Sequence, residues 1–395
     1  MSDNLIECKY INSRKYRVCK KCIYDERVSG IKFDKNGICN YCQQIEDLKN
    51  KFGTGSKKGE IKFNQLKKDI KKSGKGKKYD CIVGVSGGTD SSYLIYLAKK
   101  WGLKPLALHY DNTWNTSKAT TNIKRVLKKL DVDLYTYVVN NKEVDDIFKS
   151  FLLANVAEFD ASTDLGFAYI LRKVARKYSI KYILEGHSFL EEGITPLGRN
   201  YFDGKYIKSI HKKYGSLKMD TYPLMTFSKF LRSLIFDNVK FVRPFWYIKY
   251  SKKEAQQFLK RNFDWDYYGG HHLENRSAAF LHTVYLPQKF NTDLRNNTLS
   301  ALTRNKYISR EKALEIYNSE IKPDKNLINY LKKRLDLTDE KYNRIMNEPP
   351  KSWKDYPTYK NRFEMLRPLF FIMMKANLIP MSFYLKYCFP IEENS

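Results

Sequence analysis

Val85-Ser86-Gly87-Gly88-Thr89-Asp90-Ser91-Ser92 is the stretch that decides the fold. It joins a short apolar run, Tyr79 to Val85, to a segment where Leu94, Ile95, Leu97, Ala98 and Trp101 recur at helical spacing. The pattern predicts a strand, a glycine turn and a helix. Glycines let backbone N–H groups approach an anion with no Cβ in the way. The helix start adds free N–H donors and the positive end of its dipole, so a phosphate is expected at this turn. No Gly-Lys-Ser/Thr follows, which excludes a Walker A loop, and the spacing is not that of a GxGxxG dinucleotide turn. The plainer alternative is a Gly-Gly turn whose helix is capped by Asp90 or Ser91.

The loop resembles the SGGxDS pyrophosphate loop of the PP-loop ATP pyrophosphatases through Ser86, Gly87, Gly88, Asp90 and Ser91, with Thr89 and Ser92 completing it. Members of that superfamily split ATP between its α and β phosphates and activate a substrate oxygen as an adenylate. The resemblance therefore implies an adenylating enzyme that uses ATP and Mg²⁺. Further strands are expected at Pro105–Asp111, Asp133–Val138, Lys181–Glu185 and Lys240–Pro244, separated by helical periods at Thr116–Leu130, Glu143–Leu153 and Asp164–Tyr178. Alternation of this kind predicts an α/β fold with a doubly wound parallel sheet, and the loop's resemblance implies that it is of the PP-loop/HUP-like type. Ligands then sit beyond the carboxyl ends of the strands, which gathers Ser86–Ser92, Asp111-Asn112, Gly186-His187 and Arg243 around one crevice.

Cys19-x2-Cys22 and Cys39-x2-Cys42, with sixteen residues between the pairs, fall inside the four-cysteine zinc pattern. Two CxxC knuckles supply a closed tetrahedral site of structural type, so Zn²⁺ is the expected ion. Cys8, Cys81 and Cys388 look like single buried thiols. The expected division is a zinc-ribbon-like module at 1–48, a basic linker or helix at 49–78, the ATP-binding domain at 79–250 and a helical substrate-binding domain at 251–395.

The chain has 395 residues, long enough for two cores, and a net charge of +29. Such a charge normally suggests nucleic acid or an anionic surface. Here lysines are spread along nearly every segment, concentrated only between Lys51 and Lys78, so nucleic acid is not the expected partner. No apolar run approaches about 18 residues, the length a membrane span needs. The first ten residues lack the apolar core of a signal peptide, and a cytoplasmic location with reduced cysteines is expected.

Two further constellations carry chemistry. Glu185-Gly186-His187-Ser188 resembles the Gly-His turn of ATP pyrophosphatases; Gly186 would admit the nucleotide, and His187 would contact phosphate or hold the reacting oxygen. Glu191 and Glu192 are open candidates to join Asp90 on Mg²⁺, one position later than the acids of similar enzymes, where Leu190 stands. Farther on, Tyr268-Gly269-Gly270-His271-His272-x-Glu274-x-Arg276 precedes Lys289-Phe290, Asp293-x-Arg295 and Leu299-Ser300. Two glycines, two histidines and a Glu/Arg pair suit an anion or sugar site, or else a polar helix cap with ordinary ion pairs.

Together with Ser309-Arg310-Glu311-x-Ala313, these motifs make residues 15–320 similar to the N-acetyl sugar amidotransferases, the WbpG/PseA-like branch of the PP-loop superfamily. That family implies conversion of the acetamido group of a nucleotide-linked sugar into an acetamidino group, in lipopolysaccharide O-antigen or flagellin-glycan biosynthesis. Asp90, His187, His272 and Glu274 are then the catalytic candidates; His271, Arg276, Lys289 and Arg295 would hold the nucleotide sugar. The remaining cysteines offer no glutaminase triad, so a separate ammonia-supplying subunit resembling that of imidazole-glycerol-phosphate synthase is the implied partner. The competing reading is a tRNA-thiolating PP-loop enzyme; a third is a non-catalytic zinc scaffold for a polysaccharide complex.

Overall fold

The computed structural model of the chain describes residues 5–7, 15–194, 196, 200–270, 273–322, 324–376 and 378–390. Its first elements are a short antiparallel pair, β1 (Leu5–Glu7) and β2 (Lys15–Arg17), followed by the helices α1 (Asn40–Phe52) and α2 (Lys57–Ser73). The lysine-rich tract is therefore mostly regular helix. It turns Phe63 and Ile70 into the core and leaves its lysines to solvent.

Next come β3 (Cys81–Gly84), α3 (Thr89–Lys100), β4 (Pro105–Asp111), α4 (Ser117–Leu130), β5 (Leu134–Val138), α5 (Asn141–Leu153) and α6 (Ala161–Lys177). After β6 (Tyr182–Leu184), α7 (Phe189–Glu192), α8 (Gly204–Tyr214) and α9 (Phe227–Phe236) comes β7 (Lys240–Val242). The five strands from β3 onward form one parallel sheet in the order β5-β4-β3-β6-β7. All five expected strands are present. Side chains alternate across the sheet: Ile82, Leu106, Leu108 and Ile183 enter one core with α5, α6 and α8, while Cys81, Val83, Ala107 and Leu184 enter another with α3 and α4. The strand order reverses between β3 and β6, the switch point where such sheets bind ligands. The glycine loop leaves one of those strands and Gly186-His187 the other.

The remainder is helical: α10 (Lys252–Phe263), α11 (Arg276–Phe280), α12 (Leu286–Phe290), α13 (Arg295–Arg304), α14 (Arg310–Asn318), α15 (Lys325–Arg334), α16 (Asp339–Asn347), α17 (Lys360–Met365), α18 (Arg367–Lys375) and α19 (Met381–Cys388). Leu259 and Trp265 share the core of α3, and Phe280, Tyr285 and Leu331 share that of α5 and α6. The helical region is thus packed onto both faces of the sheet. The apolar spacing over Glu274–Tyr285 reads as a single helix, but the segment is α11 followed by a π-type turn, Leu281–Tyr285, that leads into α12. Pro287 has no N–H for the carbonyl four residues back, and the turn before it widens. Glu274 lies just ahead of α11, whose cap is the Asn275 side chain, accepting from the N–H groups of Ser277 (3.0 Å) and Ala278 (3.4 Å).

Candidate active site

The loop Val85–Gly88 is built around one carbonyl. Gly87 O accepts from Trp265 Nε1 (3.0 Å) and Asn122 Nδ2 (3.3 Å), which holds the turn from below. Gly87 has φ +82°, and a Cβ there would lie 2.3 Å from Ala119 O, so no other residue fits. Gly88 is the N-cap of α3 and offers no side-chain cap, leaving the first amides of a 12-residue helix for a ligand. Those amides rest on hydroxyls: Gly88 N donates to Ser86 Oγ (3.2 Å) and Thr89 N to Tyr268 Oη (3.4 Å). Both bonds are long, and a phosphate oxygen is a stronger acceptor. Ser91 Oγ accepts from Ser86 N at 3.3 Å. The Thr89 and Ser92 side chains are buried, so anything they give a ligand comes from the backbone.

Asp90 stands in a polar knot. Its carboxylate accepts from Lys252 Nζ at 2.6 Å and from the Tyr250 hydroxyl, whose ring stacks on Phe245 with centroids 3.8 Å apart. Burial opposes ionisation of Asp90, but the Lys252 ammonium outweighs it and holds the carboxyl below its ordinary range. Lys252 also lies 3.4 Å from Glu192 Oε1. Burial and the Asp90 charge push Glu192 up to about 8, so near neutral pH it carries a proton. Gly186 lets this group close up: a Cβ on it would stand 3.1 Å from the Asp90 carbonyl carbon.

His187 comes to the same place, 3.9 Å from Glu192 Oε2. Its Nδ1 accepts from Trp246 Nε1–H at 3.1 Å, which leaves the ring proton on Nε2. Burial, with the nearby Arg243 guanidinium, lowers its pKa to about 3. It is therefore a neutral donor through Nε2–H, not an imidazolium. Arg243 is itself tied to Glu185 at 2.7 Å.

Glu274 reaches the loop from the helical region. Its Oε1 accepts from Ser86 Oγ at 3.3 Å; its Oε2 is buried and has no hydrogen-bond partner among the described residues. The chain around it is pinned to the turn after β4: Glu274 O accepts from Thr116 N (2.9 Å), Arg276 N donates to Trp114 O (2.9 Å) and Asn275 Nδ2 to Asn112 Oδ1 (2.9 Å). Arg276 Nη1 donates to Asn115 O at 2.9 Å, with its guanidinium over the Tyr330 ring. Asp111 Oδ1 is engaged by Thr113 N at 2.7 Å, so that carboxylate shapes the turn. His271 and His272 lie outside the described residues.

Lys289 and Arg295 are engaged within the helical region. Lys289 is buried and donates to Glu348 O (2.6 Å) and Ile345 O, the carbonyls that end α16. Arg295 donates to Asp293 and to the carbonyls of Ile316 (3.1 Å), Tyr317 (3.0 Å) and Ser319 (2.9 Å) at the end of α14. Both donor sets serve helix C-termini, where cations oppose the dipole, and neither is turned to the phosphate loop. Lys289→Met should therefore lower unfolding free energy by about 1.5–3 kcal/mol, the scale of a charged hydrogen bond. Denaturant titration reads this, and nucleotide affinity should stay unchanged.

Lys252 and Tyr250 were not anticipated. Ser251 caps α10 through Glu254 N (3.3 Å), and that Ser-x-x-Glu signature puts Lys252 at a helix start, but it is one of 72 Lys and Arg residues. A second polar set gathers at the start of α6. Burial and Asp164 push Asp160 up to about 7; burial brings Lys386 down to about 8, and its Nζ donates to Asn200 Oδ1 at 3.2 Å.

The four cysteines are buried with their sulfurs within 4.8 Å of one another. Four thiolates at that separation repel unless a cation lies among them, so the set fits a tetrahedral metal ion. Arg304 Nε donates to Cys42 Sγ (3.3 Å) and Nη2 to Cys22 Sγ (3.6 Å); Arg310 Nε donates to Cys19 O (2.9 Å). The module is thereby seated on α13 and α14.

Residues 274–369 match the family described as LPS biosynthesis protein WbpG-like, C-terminal domain. An uncharacterized protein of Methanocaldococcus jannaschii is 28% identical over 171 residues, 43% of this chain and 58% of that protein. A probable mitochondrial tRNA-specific 2-thiouridylase of Caenorhabditis elegans is 27% identical over 123 residues, 27% of this chain and 32% of that one. The chain thus spans less than two thirds of either relative. An NH3-dependent NAD synthetase from Campylobacter jejuni superposes with a TM-score of 0.32 at 16% identity, over 78% of this chain and 98% of the other. No helix of the described residues is long and apolar enough to cross a membrane. A glycine loop at the switch point of a parallel sheet thus meets, through Glu274, the segment that is similar to the WbpG-like C-terminal domain.

Proposed function

We propose that the chain is an ATP-dependent, AMP-forming amidotransferase that converts the acetamido group of a nucleotide-linked N-acetyl sugar into an acetamidino group. The observation that carries this reading is the contact of Glu274, from the WbpG-like domain, with Ser86 of the phosphate loop at 3.3 Å. It brings the glycine loop and the segment similar to the WbpG-like domain within hydrogen-bond reach of each other.

The chemistry needs an adenylating loop. An amide carbonyl is a poor electrophile, and its oxygen a poor leaving group. Attack by that oxygen on the α phosphorus of ATP expels pyrophosphate and forms an O-adenyl imidate. Ammonia adds at the imidate carbon, and loss of AMP and a proton leaves the amidine. The amides of Gly88 and Thr89 and the Lys252 ammonium would hold the departing pyrophosphate. Neutral His187 would donate Nε2–H to a phosphate or to the reacting oxygen. Asp90, with Glu192 beside it across Lys252, would offer carboxylate oxygens to Mg²⁺, which would neutralise charge on the phosphates. Arg276 would stand on the sugar side, with His271 and His272 proposed to join it. The cysteine cluster would hold Zn²⁺ as a structural ion. Ammonia would come from a separate glutaminase, in a cytoplasmic pathway to an O-antigen or flagellin glycan.

Mass spectrometry of UDP- and CMP-linked N-acetyl sugars incubated with protein, ATP, Mg²⁺ and ammonium tests the reading. The expected product replaces one oxygen by NH, with AMP and pyrophosphate released in equal amounts. ADP and phosphate, or AMP without a modified sugar, would sink it. The tRNA-thiolating alternative draws on the thiouridylase relative. Against it, the described cysteines outside the cluster, Cys81 and Cys388, are buried, and burial raises both thiol pKa values.

A further inference from the structure

The helices α18 and α19 are apolar on two sides. Phe370, Met373, Tyr384 and Cys388 face inward, into a core of their own with α9 and α17. On the outward side Ile372 is 64% exposed, Met381 50% and Phe371 44%, with Leu369 and Leu385 above a third, and Met365 at the end of α17 is 74% exposed. Leu369 and Ile372 share a face at i, i+3, and Met381 and Leu385 at i, i+4. Phe371 and Tyr384 bring the two helices together, their ring centroids 5.9 Å apart. A helix apolar all round is normally covered on both sides. Here five apolar side chains of the two helices, Leu369, Phe371, Ile372, Met381 and Leu385, stand in solvent, and exposed hydrocarbon of this kind marks an interaction site.

The charge around it has one sign. Between Lys360 and Pro390 the chain carries five basic residues (360, 362, 367, 375 and 386) and one acid, Glu364. Glu364 is answered by Lys360 at 3.4 Å, which leaves Arg362 and Lys375 as the exposed charges. The whole molecule adds a net charge of +29. A protein partner of ordinary kind would want about one hydrogen bond per 100–200 Å² of contact. This face offers little beyond hydrocarbon and cations. Apolar side chains flanked by Lys and Arg are what an interfacial helix uses on an anionic bilayer, where hydrophobic insertion and charge attraction must act together.

We infer that the outer face of α18 and α19 docks on an anionic phospholipid surface, both helices lying in the interfacial plane. The inference is independent of the reaction catalysed. Flotation of the full chain with phosphatidylcholine vesicles, with and without phosphatidylglycerol, tests it. Binding is expected only to the mixed vesicles, and it should weaken with salt. Ile372→Glu should reduce it by about 10- to 100-fold, the scale of one large apolar side chain. Lys375→Glu should cost about fivefold or more, each cation near such a surface being worth about 1 kcal/mol. Ile61→Glu, at an equally exposed apolar site on α2 (61%), should change little beyond its charge. Thermal melts and nucleotide binding check that each variant is folded, and Leu369→Glu repeats the test should Ile372→Glu fail to fold. Absence of flotation overturns the inference. So does flotation equally lost in Ile61→Glu, which would mean diffuse charge alone, or a wild-type dimer by light scattering that Ile372→Glu dissociates without vesicle binding.

Discussion

Lys252→Met should abolish ATP-to-AMP turnover while the chain stays folded. Lys252 Nζ bridges Asp90 (2.6 Å) and Glu192 (3.4 Å) beside the phosphate loop. It is hydrogen-bonded to Asp90 in the first turn of α3, and Asp90 and Glu192 hold its pKa above the ordinary lysine value despite burial. A pyrophosphate leaving from that loop would exchange carboxylate contacts for phosphate ones at the same ammonium. Removing a single well-placed oxyanion donor typically lowers the rate by about 10²–10³. Asp90→Asn should match it from the other side, since it leaves Lys252 without its nearest counter-charge and removes a candidate Mg²⁺ ligand. Tyr250→Phe removes only a hydrogen bond to Asp90 and should cost less than either. The measurement is AMP and pyrophosphate release with ammonium and substrate in excess, alongside a thermal melt. Unchanged turnover in Lys252→Met would remove the ammonium from the mechanism and leave the loop amides as the main phosphate ligands.

The parts of the site that could be read from sequence are those whose chemistry is local. Gly84 to Ser91 passes from strand through turn into helix within eight residues, and Gly186-His187 closely follows a strand. The CxxC pairs are local in the same sense. What sequence could not separate is how a long cation is employed. Lys252, Lys289 and Arg295 each occupy a polar motif near a helix end. Lys252 meets Asp90, 162 positions away; Lys289 meets carbonyls 56 and 59 positions away. Those partners are chosen by tertiary packing, and nothing in the flanking pattern encodes them. Strands were legible because burial on both faces demands continuous apolar runs. The 274–290 segment was not, because the π turn keeps an apolar spacing close to that of an unbroken helix while shifting which residues lie inside it. The consequence is functional: Glu274 sits before a capped helix start and so reaches Ser86.

Metal removal is expected to act beyond the N-terminal module. One ion per chain should co-purify, and Cys42→Ser or prolonged chelation should release it. Zinc binding to small cysteine modules is worth about 10–16 kcal/mol at neutral pH, as much as the entire stability of an ordinary domain, so a module with so small a core cannot keep its shape without the ion. Its partner surface should loosen next. Arg304 spends Nε and Nη2 on Cys42 and Cys22. The residues beside it hold the ATP-side helix α7: Asn305 Nδ2 donates to Leu190 O, and the Tyr307 hydroxyl to Glu191 Oε1 at 3.1 Å. Tyr24, within the module, donates to Asn297 Oδ1 at 2.8 Å. Hydrogen exchange should therefore lose protection first at 16–45, then in α13 and at 189–194, whereas the strands β3 to β5 keep theirs. Nucleotide affinity should fall with the second step, because Glu192 and Lys252 then lose their fixed positions around Asp90. Arg304→Met separates the two links: it should retain the ion, since the four sulfurs remain, and still deprotect 189–194. Protection at 189–194 unchanged in both variants would make the module a bystander to the ATP site. Stoichiometric iron with visible absorption in place of zinc would instead move the cluster, and with it the reaction, toward the thiolating reading, because the same four thiolates can hold an iron–sulfur centre.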